Sequence, residues 1–288
     1  MKSNIPYLLL AMCLASGRTI ASKKMSSDIQ GKTHFFQTQM VLFISAAALI
    51  VVVGVKELSS ISALTVVMGL IYGLLLVLSQ WMLTLSLKDG NTSFCSIIYS
   101  LGFIIPTLSG AIFWNEMFTI ANGVGLLIAI VVIALSANKK THSESKVQDV
   151  PFNIYIAMIA SGGLGLMQKI QQSSKVADEK MVFFLVAFAF AFLCSWVAYA
   201  VCRQANSRRN LGIMPIITGL CFGGSNVCNT VLAGRLPSAI FFPVQNISTI
   251  VLSTLLGIIL FKEKMSLRNV IVLLLGVLVI VLFSVSAD

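Results

Sequence analysis

Ten stretches of about twenty mostly apolar residues, separated by short polar intervals, run along this 288-residue chain. They cover roughly 5–24, 34–55, 62–86, 92–114, 119–137, 152–171, 181–201, 211–233, 238–261 and 268–286. An α-helix rises about 1.5 Å per residue, so about 20 residues cross the roughly 30 Å hydrocarbon layer of a bilayer. Without water to satisfy them, backbone amides must pair within each span, which a helix does. The pattern predicts an all-α integral membrane protein with ten transmembrane helices. The first stretch leads straight into a second one, without a small-x-small cleavage site before a soluble region, so it is not expected to be a cleaved signal.

The pattern also repeats at half length. Trp114-Asn-Glu116-Met-Phe-Thr119 matches Phe261-Lys-Glu263-Lys-Met-Ser266 at a shift of 147 residues. Gly69-Leu-Ile-Tyr-Gly73 matches Gly219-Leu-Cys-Phe-Gly223 at a shift of 150. Residues 5–136 thus align with 152–284. The expected organisation is a first five-helix repeat over 1–138, a linker over 139–150 and a second five-helix repeat over 151–288. Five spans are an odd number, so the second copy enters the membrane upside down. Two inverted repeats enclosing a midplane site are a transporter architecture. The two GxxxG motifs predict close helix–helix approach.

Composition narrows the function. The chain is 57% hydrophobic and 10% charged, with mean hydropathy +0.95, far from a soluble globular domain. Little chain is left outside the spans for a soluble catalytic domain, and no cluster of acid, base and nucleophile sits at membrane depth, so enzyme chemistry is not expected. The six cysteines show no CxxC spacing and read as packing residues, and His34 and His142 fall in or beside loops. No metal and no cofactor are expected. The net charge of +10 is spread over short loops, which argues for membrane topology and against nucleic acid. Thirteen Lys and Arg lie on the loops joining spans 1–2, 3–4, 5–6, 7–8 and 9–10, against four on the other side. Taken literally, that bias places both termini outside.

Span 4 carries Pro106 and Gly110 and ends at Glu116, followed by another apolar span; Gly257 and Glu263 repeat the arrangement. Span 1 has Ser16-Gly17 and ends at Lys23-Lys24. These features resemble the EamA-type signature of the drug/metabolite transporter superfamily, over essentially the whole chain. A tryptophan is usual before the glycine of span 1 in that family; here Ser16 stands in its place. The resemblance implies ten helices in two repeats, transport of a small metabolite or drug, and both termini in the cytoplasm, opposite to the charge bias.

All ten acidic residues fall in loops or at span ends. A cation/proton antiporter of the small multidrug type needs an acid in its first span, so that chemistry is disfavoured. Glu116 and Glu263 read as interfacial residues capping the helix that follows each. Positive charge does enter the spans, at Arg18 and Lys169. Arginine offers a fork for carboxylate or phosphate and lysine a point charge, so both are candidate substrate ligands. The plainer alternative is snorkelling to the interface. Gln80, Tyr99, Asn226, Asn229, Gln245 and Asn246 are polar side chains inside spans, where each needs a partner. They are candidate substrate-binding residues, or helix–helix hydrogen bonds. Pro243 frees a carbonyl beside the last two. Ser161-Gly-Gly-Leu-Gly165 lacks the context of a phosphate loop and reads as helix packing.

The expected function is secondary transport of a small polar metabolite across the cell membrane by alternating access, an anionic or zwitterionic substrate being favoured. The alternatives are export of uncharged sugars or drug-like compounds and, further off, an intramembrane lipid-modifying enzyme. The expected partners are the small-molecule substrate and the lipid bilayer. The uniformly apolar spans 5 and 10 are a candidate homodimer surface.

Overall fold

The computed structural model describes residues 5–28, 31–54, 61–89, 92–136, 151–202, 211–261 and 267–285. Among these residues the regular structure is entirely helical. The helices are α1 (Ile5–Asp28), α2 (Gly31–Gly54), α3 (Ala63–Asp89), α4 (Thr92–Ser100), α5 (Ile104–Phe113), α6 (Ile120–Ser136), α7 (Asn153–Ser173), α8 (Lys180–Cys202), α9 (Met214–Arg235), α10 (Ser238–Phe261) and α11 (Leu267–Val285). Among the described residues each apolar stretch is mainly helical. Five of them, Gly31–Gly54, Ala63–Ser86, Ala177–Cys202, Met214–Arg235 and Ser238–Leu256, are long and apolar enough to cross a membrane. Shorter apolar helical stretches lie at Ile97–Phe113, Ile120–Leu135 and Val270–Leu282. Exposed side chains such as Val52, Leu127, Val201 and Leu274 are apolar, as lipid-facing positions require. The linker 139–150 and Glu263 lie outside the described residues.

The fourth apolar stretch is broken. A 3-10 turn, Leu101–Phe103, separates α4 from α5. Pro106 supplies the cause. It has no N–H to donate to the carbonyl of Gly102, and its ring crowds that carbonyl. Inside a protein the freed backbone is tolerated because neighbouring helices cover it.

The chain forms two compact units. One holds Met1–Val77 and Ile170–Gly234, and therefore α1, α2, the first half of α3, α8 and α9. The other holds Leu78–Lys169 and Arg235–Asp288, and therefore the second half of α3, α4, α5, α6, most of α7, α10 and α11. Each unit draws helices from both sequence repeats. Repeat and compact unit are different partitions, one of sequence similarity and one of packing.

In the first unit the two GxxxG motifs make matched contacts. A Cβ on Gly69 would lie 2.9 Å from the carbonyl oxygen of Phe183, and one on Gly73 2.6 Å from that of Ala187. Gly219 and Gly223 meet the carbonyls of Leu42 and Ala46 in the same way. Each motif thus lets one helix rest on another's backbone, α3 on α8 and α9 on α2. Phe183, Phe184 and Phe188 fill the interior, with Tyr72 packed edge-on against the first two.

The second unit is built on α10. Its apolar core joins Ile240, Val244 and Ile247 of α10 to Phe103, to Val132 and Ile133 of α6 and to Val272 and Val279 of α11. The outward faces of α6 and α11 stay exposed at Leu127, Val131, Leu274 and Val281. The glycine segment of α7 packs closely here, with Gly162 against Gly102 and Gly165 against Pro106 and Phe242.

Candidate functional site

Arg18, Asn226 and Asn229 fall in the first unit; Gln80, Tyr99, Lys169, Gln245 and Asn246 fall in the second. In the first unit, Asn226 is a structural amide. Its Oδ1 accepts a 2.7 Å hydrogen bond from the Tyr72 hydroxyl, and its Nδ2 donates to the carbonyl of Phe222 at 2.8 Å. Both residues are buried. Asn229, one turn on, is half-buried, and its Oδ1 has no hydrogen-bond partner among the described residues. Arg18 is half-buried with its guanidinium 4.1 Å above the Phe222 ring. A cation over an aromatic face gains about 0.5–2 kcal/mol.

In the second unit, the Tyr99 hydroxyl is 3.0 Å from Ser79 Oγ and joins α4 to the end of α3. Gln80, beside Ser79, is half-buried, and its carbonyl accepts from the Thr84 hydroxyl. Asn246 Nδ2 donates to the carbonyl of Ser100 at 3.4 Å, at the point where α4 ends. Gln245 and Ser248 are i and i+3 on α10 and share a face. Both are buried, and neither Gln245 Oε1 nor Ser248 Oγ has a hydrogen-bond partner among the described residues. A buried acceptor without a donor costs roughly 1–3 kcal/mol.

Lys169 is ion-paired. Its Nζ lies 2.6 Å from Glu116 Oε1, 3.5 Å from the carbonyl oxygen of Leu236 and 5.9 Å from the centre of the Trp114 ring. The residue is buried. Glu116 was expected to cap the helix that follows it, α6. It caps α10 instead, accepting from the Ser238 N–H at 2.5 Å. The first turn of α6 is served by Thr119, whose hydroxyl accepts from the Asn122 N–H at 3.2 Å. Asn115, with φ +50°, turns the chain at the end of α5 and separates the two roles.

Helix α2 also carries buried polar side chains. His34, Thr38 and Gln39 are buried there, not in a loop, and the Gln37 and Gln39 Oε1 atoms have no hydrogen-bond partner among the described residues. A run of polar residues opening an otherwise apolar span was the available signal. Among the described residues no group of three His, Cys, Asp or Glu side chains is arranged to hold a metal ion.

The model of the family described as "Sugar transport protein" matches residues 44–287. No curated protein matches the chain. One crystal structure, described only as that of a protein, has a similar fold, with a TM-score of 0.76, 100% of this chain and 98% of that one covered, and 14% sequence identity. At that identity the likeness concerns the fold alone. The family match spans most of the chain and coincides with an all-helical, lipid-facing build, so this protein belongs to the Sugar transport protein family and is a membrane transporter.

Proposed function

We propose that the protein carries an uncharged sugar across the cell membrane by alternating access, on a ten-span fold of the drug/metabolite transporter type. The observation that carries the substrate is membership of the sugar transport family. The chemistry of the second unit supports it. Gln245 and Ser248 offer unpaired acceptors on one face of α10, which suit sugar hydroxyl donors. Asn246, Tyr99 and the break between α4 and α5 belong to the same unit. Discontinuous helices are a recurrent setting for transporter sites. Gln80 and Asn229 are further candidates for contact with hydroxyls.

The inverted-repeat reading has its own support. Helices α2 and α8 pack together, as do α5 and α10, and α6 and α11; each pair is related by the sequence shift. Asn246 and Ser100, 146 residues apart, meet each other. A contact within one residue of the 147-residue shift is what a pseudo-twofold relation between the repeats would produce. The anionic or zwitterionic reading loses Lys169 to Glu116 and rests on Arg18 alone. Uptake by proteoliposomes tests the choice, with labelled hexose, hexose phosphate and a sugar acid. Uptake of the neutral hexose alone is expected. Uptake of the charged compounds only would overturn the proposal in favour of an Arg18 anion site.

A further inference from the structure

The buried pair Glu116–Lys169 lies outside the Gln245–Ser248 face, yet its contacts with Leu236 and Ser238 grip the start of α10. The construction begins at Gly110, whose carbonyl accepts from the N–H groups of both Trp114 and Glu116 at 3.1 Å. A Cβ at Gly110 would strike the Glu116 carboxylate and lie 2.7 Å from Ser238 Cβ. The missing side chain is the space in which the carboxylate sits. From there Oε2 accepts from Ser238 N–H and Oε1 from Lys169, while Lys169 also donates to the Leu236 carbonyl. The corner Leu236–Ser238 is therefore gripped on both sides of Pro237. Lys169 is the last residue of its unit before the chain passes to the other, and Arg235 the first on return.

The first turn of α10 depends on such a grip. Pro243 lies inside the helix and has no N–H for the carbonyl of Ala239, so the ladder linking Ser238–Phe242 to the rest is incomplete. Gln245 lies seven residues on, roughly 10 Å along the axis. The helix nevertheless runs unbroken from Ser238 to Phe261, so the position of its anchored end is carried past Pro243 to Gln245. The pair itself holds because separating two buried charges is costly.

We infer that Glu116, supported by Lys169 and given room by Gly110, is a positioning residue for transport: it sets the start of α10 and thereby the placement of Gln245 and Ser248. The substrate part of this inference rests on the sugar reading above; the positioning part does not. Its test uses E116A/K169M, which removes the acceptor without leaving a buried lone lysine, and E116Q/K169M, which restores a neutral acceptor for Ser238 N–H. Hexose uptake by E116A/K169M is expected to show KM raised about tenfold, with maximal rate per folded transporter within about twofold, and E116Q/K169M to recover KM to within about threefold of wild type. Amide hydrogen exchange of the full chain in detergent is read in parallel. Faster exchange is expected in E116A/K169M from Ser238 through Ser248. Where that variant does not fold, Gly110→Ala displaces the carboxylate with both charges retained and is held to the same two readouts. Faster exchange confined to Ser238–Phe242, or unchanged KM with only a lower yield, overturns the positioning role. Absence of hexose uptake by the wild type, with exchange spreading to Ser248, sinks the sugar reading and leaves positioning standing.

Discussion

Asn226 of α9 and Gln245 of α10 are both buried amides inside apolar helices, yet they end in opposite states. Asn226 accepts from Tyr72 and donates to its own helix, so its polarity is spent on holding the first unit together. Gln245 Oε1 has no such partner among the described residues, and neither has Ser248 one turn on. The difference lies in the surroundings. Around Asn226, glycine contacts bring α3 and α9 hard against α8 and α2, and an aromatic cluster holds the Tyr72 ring with its hydroxyl on the amide. Around Gln245, the hydrogen-bond ladder of the helix is interrupted by Pro243, and the facing stretch is broken at Leu101–Phe103. Closed packing supplies a polar group with a partner; beside an interrupted backbone the acceptors of Gln245 and Ser248 have none among the described residues.

The strongest way to break this comparison is to open the closed side. Gly73→Leu forces a side chain onto the carbonyl of Ala187 and should destabilise the protein by about 3 kcal/mol. Thermal unfolding in detergent measures it, and an unchanged melting temperature would mean that the two helices do not approach closely. Next in size is Asn226→Leu, which strands the Tyr72 hydroxyl. It should cost about 1–3 kcal/mol, with much of the loss recovered in the double variant Y72F/N226L, where neither partner is left polar. Equal losses for single and double variants would show that the pair is not coupled.

The open side responds differently. Gln245→Leu removes a buried acceptor, so its melting temperature should hold or rise. Sugar binding should lose about 0.5–1.5 kcal/mol, or roughly two- to tenfold in apparent affinity. Lower stability with unchanged KM would place Gln245 with Asn226 as a structural amide. The smallest effect is expected at Arg18. With the guanidinium resting on Phe222 and an uncharged substrate, Arg18→Lys should keep uptake within about twofold. A large loss would return the arginine to an anion-binding role.

The sequence by itself determined the helices, because burying a backbone in lipid leaves no alternative to internal pairing and hydropathy reads that requirement directly. It also marked Gly69, Gly73, Gly219 and Gly223 as contact points, since a repeated absence of side chains has few other uses in a span. It identified Glu116 as a cap but not its helix, because the N–H it receives belongs to Ser238, 122 residues away. Lys169 and Arg18 looked alike as embedded cations. Only the tertiary structure gave one of them a carboxylate and the other an aromatic face. The same holds for the amides: Asn226 and Gln245 carry one chemistry, and what separates them is a tyrosine 154 residues from the first. Local pattern decides which groups must be buried; which of them find partners depends on segments far apart in the chain, and that is where the candidate site was decided.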